Sequence, residues 1–139
     1  MLAVNYKNLL KNAYPEIPKI LNLETAAYLY GSTCANVSIL TFYMPWDLDF
    51  IKSGYLVGLK VKDFDDIPTS VLLGRRITTP IRTLQDLFNY EELVDPQVTF
   101  DYVSWFEASQ KLDPCDYLDE KYHKEARAIV KEGWSHGYR

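Results

Sequence analysis

Four residues have the types and the order that nucleotide chemistry needs: Gly31 and Ser32, followed by Asp47 and Asp49. A Gly-Ser turn can hold a triphosphate through its backbone N–H groups and its hydroxyl. Two carboxylates that alternate on an extended segment face the same way and can bind Mg²⁺. These four residues therefore form an alternative nucleotide and metal site, which would make the chain a minimal or degenerate Mg²⁺-dependent nucleotidyltransferase.

The segments around this alternative site favour a simpler interpretation. Pro45 and Trp46 directly precede Asp47, which is typical of a loop, and an apolar segment separates the glycine and serine from the two aspartates. Gly31 then only ends a helix. Elsewhere the sequence has no nucleophile elbow, HExxH motif or glycine-rich phosphate loop, and its 2 Cys and 2 His lack metal-site spacing. We expect no catalytic residue, no metal and no cofactor.

Length, composition and charge restrict the class of protein. The chain has 139 residues, 47% hydrophobic and 24% charged, which suits one globular domain. A balance of 15 Lys and Arg against 19 Asp and Glu gives a net charge of −4, which argues against direct DNA binding. The sequence shows neither a signal-peptide core nor an apolar stretch of about 18 residues, the length of a membrane helix. We expect a cytoplasmic protein that does not contact a membrane.

The hydrophobic pattern predicts helices towards the N-terminus and strands after them. One helix is predicted over Val4–Ala13, and another begins after Asn22 and ends at Gly31. Four segments that are alternating or rich in β-branched and aromatic residues then predict strands: Val37–Tyr43, Tyr55–Lys62, Ser70–Leu73 and Arg75–Thr78.

Three further helices are predicted to begin at Thr79-Pro80, Asp95-Pro96 and Asp113-Pro114, where a capping residue precedes proline at the first helical position. The whole order predicts an α+β fold, with a small, mostly antiparallel sheet of about four short strands flanked by N-terminal and C-terminal helices. We expect a single domain over 1–139. It comprises an N-terminal helix or arm (1–20), a core (21–106) and a C-terminal helix and tail (107–139).

Arg82 and Asp86 lie on one face of the helix that begins at Thr79-Pro80, because they are four residues apart. One interpretation is a surface ion pair worth a few tenths of a kcal/mol. In the other, Arg82 lies next to the buried stripe and reaches carbonyls at the sheet edge, while Asp86 orients the guanidinium. The second interpretation makes the pair a structural anchor.

Three segments together resemble one known family. ITTPIRTLQDLF (77–88) is similar to its Thr-x-Pro-x-Arg-Thr-Leu-x-Asp-Leu signature, LNLETAAYLYG (21–31) to an earlier helix, and VDPQVTFDYVSWF (94–106) to the helix that follows. On these segments the chain resembles the AbiE-type abortive-infection antitoxins, which belong to type IV toxin–antitoxin and phage-defence systems. The signature residues are Thr79, Pro80, Arg82, Thr83 and Asp86.

The resemblance implies a non-enzymatic antitoxin-like effector region that opposes a nucleotidyltransferase toxin or another defence protein. The family usually begins with a winged-helix DNA-binding domain, and the residues before Leu21 are too few to build one. With 11 Tyr, 6 Phe and 3 Trp, the chain has enough aromatic residues for a core and a recognition surface. The candidate interaction surface comprises Tyr43, Trp46, Tyr90, Glu91, Glu92 and Tyr117.

A third hypothesis follows from the acidic stretch between Glu91 and Glu120. A negatively charged surface suits a basic partner, such as a protein face that normally binds nucleic acid. The chain would then be a mobile-element inhibitor that binds a host nuclease by imitating the charge of nucleic acid.

Overall fold

The computed structural model describes residues 17–33, 39–49 and 54–135. The predicted helix over Val4–Ala13 and the first residues of the predicted strand Val37–Tyr43 lie outside these ranges. The described strands are β1 (Ile20–Leu21), β2 (Leu40–Pro45), β3 (Leu56–Val61), β4 (Thr69–Leu72) and β5 (Arg75–Thr78). The helices are α1 (Leu23–Leu29), α2 (Pro80–Asn89), α3 (Pro96–Gln110) and α4 (His123–Ser135), with 3-10 turns at Phe64–Asp66, Glu91–Leu93, Pro114–Tyr117 and Glu120–Tyr122.

The five strands form one mixed sheet in the order β3-β2-β1-β5-β4. The pairs β1–β2 and β4–β5 are antiparallel, whereas β1–β5 and β2–β3 are parallel. The predicted α+β class is confirmed, and the expectation of about four, mostly antiparallel strands is approximately right. The additional strand is β1, whose residues are both buried at the centre of the sheet. Two residues are too short to show the alternation by which strands are predicted.

The turn between β4 and β5 is a tight hairpin, as the sequence predicted. Leu73 and Gly74 have φ of 53° and 73°, which are left-handed values at both central positions. Such a turn matches the twist of the two strands that it joins. It leaves Leu73 exposed, with 77% of its surface accessible.

Two of the three predicted C-terminal helix starts are confirmed. Thr79 accepts a hydrogen bond from the backbone N–H of Arg82 at 3.2 Å, and Asp95 accepts one from Gln97 at 2.9 Å. Asp113 caps only a 3-10 turn, so the prediction of a continuous helix from that position is wrong. The chain becomes extended at Leu118, with φ −112° and ψ 149°, and α4 begins at His123.

α1 and α2 cover the sheet face that carries Thr41 and Thr78. Thr25 in α1 accepts a hydrogen bond at its Oγ1 from the backbone N–H of Thr41 (2.8 Å), and Thr83 in α2 shares one with the Thr78 hydroxyl (2.7 Å). Tyr43 lies on the same face as Thr41, because alternate strand residues point the same way. Tyr43 packs with Ile20, Phe64 and Ile67 in a small cluster, whereas Phe42, its neighbour along β2, belongs to the larger core that contains side chains of α2 and α3.

Candidate functional site

The signature residues at the start of α2 are used to attach the helix to the sheet. Thr79 caps α2 and Pro80 is its first residue. The Thr83 hydroxyl is fully buried against Thr78, and the Pro80 carbonyl accepts a hydrogen bond of 2.8 Å from the Tyr102 hydroxyl in α3. These contacts fix the N-terminal end of α2 between β5 and α3.

The next turn of α2 is held by the Arg82–Asp86 ion pair. Arg82 Nε lies 2.9 Å from Asp86 Oδ1, and the side chains are 25% and 3% exposed. The guanidinium carbon lies 5.4 Å from the centre of the Tyr43 ring on β2. The surface-pair interpretation is wrong, since Asp86 is buried. The described contact of Arg82 with the sheet is the Tyr43 ring rather than the carbonyls that the anchor interpretation predicted, and the anchor role stays a prediction.

Burial and neighbouring charges both shift the pKa values of this cluster. Burial raises the pKa of Asp86, although Arg82 opposes the shift. Burial also raises the pKa of Tyr43, and the nearby Asp86 charge raises it further. Burial lowers the pKa of Arg82, but Asp86 outweighs that effect and the net shift is upward. Arg82 therefore stays charged and the Tyr43 hydroxyl stays protonated. Among the described residues, Arg82 is the cation paired with the buried Asp86 carboxylate, and the Tyr43 hydroxyl also favours the charged form of Asp86.

Asn22 and Thr41 form buried polar contacts between the end of β1 and β2 that were not expected from the sequence. Asn22 follows β1 and is completely buried, and its backbone N–H donates to the Thr41 carbonyl at 3.2 Å. The Thr41 hydroxyl donates to the Asn22 carbonyl at 2.7 Å. Asn22 stands at the predicted N-cap position of α1, but its side chain caps nothing among the described residues. Capping residues are usually solvated, so the sequence carries no signal of this burial.

Glu24 joins α1 to the start of α3. Its Oε1 accepts a hydrogen bond of 2.6 Å from the backbone N–H of Asp95, the N-cap residue of α3. The Glu24 residue is 8% exposed. Burial raises the pKa of its carboxyl group, partly offset by the Asp95 N–H, while the Asp95 charge raises it further.

We expect Glu24→Gln to be at least as stable as the wild type near neutral pH, because glutamine keeps an acceptor for Asp95 without a buried charge. A carboxyl whose folded-state pKa is raised stabilises the fold below its unfolded pKa, and this contribution is lost as pH rises. The advantage of Glu24→Gln should therefore disappear in acid. Urea midpoints measured across this pH range check the prediction, with Glu120→Gln as an exposed control. A Glu24→Gln variant that is less stable than the wild type, by a margin that increases with pH, would contradict the prediction.

The structure separates the aromatic residues of the candidate interaction surface. Trp46 is 56% exposed, with Lys62 Nζ 5.3 Å from its ring. Tyr90 is half-buried against Tyr43, and Tyr117 is half-buried against the core. Tyr43 is fully buried, so its assignment to the surface is wrong. A strand position that alternates towards the helices buries its side chain whatever its type.

The alternative nucleotide site is not assembled by any described contact. Gly31 has φ 76° after α1, and the Ser32 hydroxyl donates to the Ala27 carbonyl at 2.7 Å, so both residues end the helix. Asp47 and Asp49 are exposed and follow β2 in a turn and bend. Thr33, next to Ser32, instead contacts Asp101 of α3 at 2.7 Å. The described contacts support the helix-stop interpretation of Gly31 and the loop interpretation of the aspartates.

The chain matches no known family model and no curated protein. The resemblance to AbiE-type antitoxins therefore stays a prediction. Within the described ranges, no group of three or more His, Cys, Asp or Glu side chains is placed to hold a metal ion. None of the helices in that part of the chain is both long and apolar enough to cross a membrane.

Glu91 and Glu92 lie beside a cavity that we call the acidic groove. It measures about 350 Å³ and is formed by the end of α2, the following 3-10 turn, the start of α3 and one face of α4. Glu91, Glu92 and Glu125 are exposed at its rim. Its other lining residues are Leu87, Phe88, Val94, Pro96, Thr99 and Ile129. The sequence indicated the first two glutamates as surface candidates but not Glu125, which is distant along the chain.

A wider cavity of about 890 Å³ lies between α3 and α4. Lys111, Arg127 and Lys131 line it together with Glu107 and Asp113, so its charges are mixed. Cys115 also lines it, and burial raises the pKa of the thiol, an effect to which the Asp113 charge adds. The thiol is therefore mostly protonated at neutral pH and is a weak nucleophile.

Proposed function

We propose that this chain is a non-enzymatic, antitoxin-like domain that acts by binding a protein with a basic surface. The proposed partner is a nucleotidyltransferase toxin or another phage-defence protein, and the proposed location is the cytoplasm. The observation that carries the proposal is the acidic groove. Three exposed carboxylates surround an apolar floor, and none of the lining residues is a lysine or arginine.

The contacts of the signature residues support a structural role that serves this surface. Thr83 and the Arg82–Asp86 pair hold one side of α2 against the sheet. Leu87 and Phe88, in the last turns of the same helix, then contribute to the groove floor. The signature thus positions a binding surface without contacting the partner.

Charge complementarity supports the choice of partner. Proteins that bind nucleotides or nucleic acids carry basic surfaces, because the phosphates are negative. A negatively charged groove attracts such a surface and repels nucleic acid itself. The net charge of −4 acts in the same direction over longer distances.

Growth rescue tests the proposal directly. We expect co-expression of this chain to restore growth to cells that express a nucleotidyltransferase toxin encoded beside it. Glu91→Lys/Glu92→Lys should abolish the rescue, because it reverses charge at the groove rim. Asp65→Lys/Asp66→Lys reverses two exposed charges elsewhere and should leave the rescue intact. Unchanged toxicity at matched expression would contradict the antitoxin role.

Two other results would favour the alternatives. Mg²⁺-dependent nucleotide binding by the purified chain, lost in Asp49→Ala, would favour the nucleotidyltransferase hypothesis. A stable complex with a host nuclease whose affinity falls steeply with salt would favour the inhibitor hypothesis.

A further inference from the structure

We infer that the acidic groove binds one arginine or lysine side chain of the protein partner, together with an apolar residue beside it. The inference rests on the proposed function in taking the occupant to be a protein. It goes further than the proposed function because it assigns the contact to the acidic groove and specifies that the partner's side chain there is basic.

The size and floor of the groove fit a long side chain with a charged end. A volume of about 350 Å³ accommodates one or two side chains rather than a whole helix. The floor is mostly apolar and well packed, since Val94 is 7% exposed, Phe88 1% and Ile129 9%. Lysine and arginine lay their methylene stems along such surfaces while the charged group stays in water.

The rim supplies the charges that the end of the side chain needs. Glu91 and Glu92 come from the 3-10 turn after α2, and Glu125 comes from the first turn of α4. No ion pair is described for any of them within residues 54–135. All three carboxylates line one cavity that has no lysine or arginine in its lining, so a cation entering it meets only negative side-chain charge. A guanidinium can also donate several hydrogen bonds to them at once.

The walls of the groove are held in place before any partner binds. The Phe88 ring packs against Tyr122 with 5.2 Å between centroids, which ties α2 to the segment before α4. Glu24 holds the N-cap residue of α3 at the opposite wall. Ile129 lies one helical turn after Glu125, so α4 presents its apolar and acidic contributions on the same face. A preformed site spares the entropy of ordering it.

A peptide titration followed by NMR tests the inference. The probe is the blocked peptide Ala-Leu-Arg-Leu-Ala, and its partner probe has citrulline, which is uncharged and similar in shape, in place of arginine. We expect saturable shifts of the Val94, Thr99 and Ile129 amides with the arginine peptide at millimolar concentration, and none with the citrulline peptide. Glu91→Gln/Glu92→Gln/Glu125→Gln should weaken binding about tenfold, because it removes three negative charges whose exposed ion pairs are individually weak.

The control variant Asp65→Asn/Asp66→Asn/Glu120→Gln removes three exposed charges away from the groove and should bind as the wild type does. Equal binding of both peptides, equal binding by the glutamine variant, or no saturable shift at the groove would each overturn the inference. Because no toxin is present, these results are independent of growth rescue. Rescue without peptide binding would retain the antitoxin role and reject arginine binding in this groove. Peptide binding without rescue would retain the groove as a binding site and reject the antitoxin role.

Discussion

Tyr102→Ala is expected to lower the free energy of unfolding by about 4 kcal/mol, as removal of a large buried aromatic side chain does. Tyr102 is completely buried, and its ring centroid lies 5.2 Å from that of Trp105 and 6.4 Å from that of Phe106. Its hydroxyl also bonds the Pro80 carbonyl. The substitution therefore opens a cavity beside α2 and removes a link between α2 and α3. Urea unfolding followed by circular dichroism measures the loss.

Tyr102→Phe separates the two contributions of this residue. It keeps the ring and removes the hydroxyl, which bonds the Pro80 carbonyl and also interacts with the Thr83 side chain, so we expect a loss of about 1 kcal/mol. Tyr117→Phe is the matched control, since no hydrogen bond is described for the Tyr117 hydroxyl, and it should be neutral. If Tyr102→Ala and Tyr102→Phe lower the free energy of unfolding by the same amount, the Tyr102 ring does not stabilise α3 by packing, and that part of the prediction is wrong.

Arg82→Ala is expected to cost about 3 kcal/mol, because it leaves the buried Asp86 carboxylate without its cation. This value lies at the lower end for broken buried pairs, since a quarter of the Arg82 side chain is exposed. The substitution also removes the guanidinium from the Tyr43 ring. Thermal and urea unfolding near neutral pH measure the effect.

Two further measurements test whether the unpaired Asp86 charge causes the loss of stability in Arg82→Ala. Arg82→Ala/Asp86→Asn has no buried carboxylate and should recover part of the lost stability. The deficit of Arg82→Ala should shrink as pH falls, because an Asp86 pKa raised further by the missing cation favours the protonated folded state. A wild-type melting temperature in Arg82→Ala would return the pair to the energetics of a surface contact. A deficit that does not change with pH would instead assign the loss to the Tyr43 contact.

The two confirmed C-terminal helix starts show where local sequence is sufficient. At Thr79-Pro80 and Asp95-Pro96 the capping oxygen and the restricted proline backbone both act within one turn. Asp113-Pro114 has the same local features but begins only a 3-10 turn. There the backbone becomes extended at Leu118, whose carbonyl lies 2.9 Å from Nε2 of the half-buried His123 ring. The turn therefore does not continue as a helix. The same two-residue signal therefore gave different lengths of helix.

The candidate site was predicted less completely than the helices. The spacing of Arg82 and Asp86 placed them on one face, but burial of Asp86 and contact with Tyr43 depend on a strand far away in sequence. Glu91 and Glu92 were identified by composition, whereas Glu125 joins them only because α4 packs beside α2 and α3.

Local sequence was enough to predict the α+β class, the hairpin at Gly74 and two of the C-terminal helix starts, because each depends on side chains within a few residues of the backbone that they direct. The tertiary structure decided the central place of β1, the burial of Asn22 and Tyr43, and the assembly of the acidic groove. Burial and charge proximity depend on which distant segments pack together. The hydrophobic pattern of a segment indicates which of its faces is buried, but not which other segment covers that face.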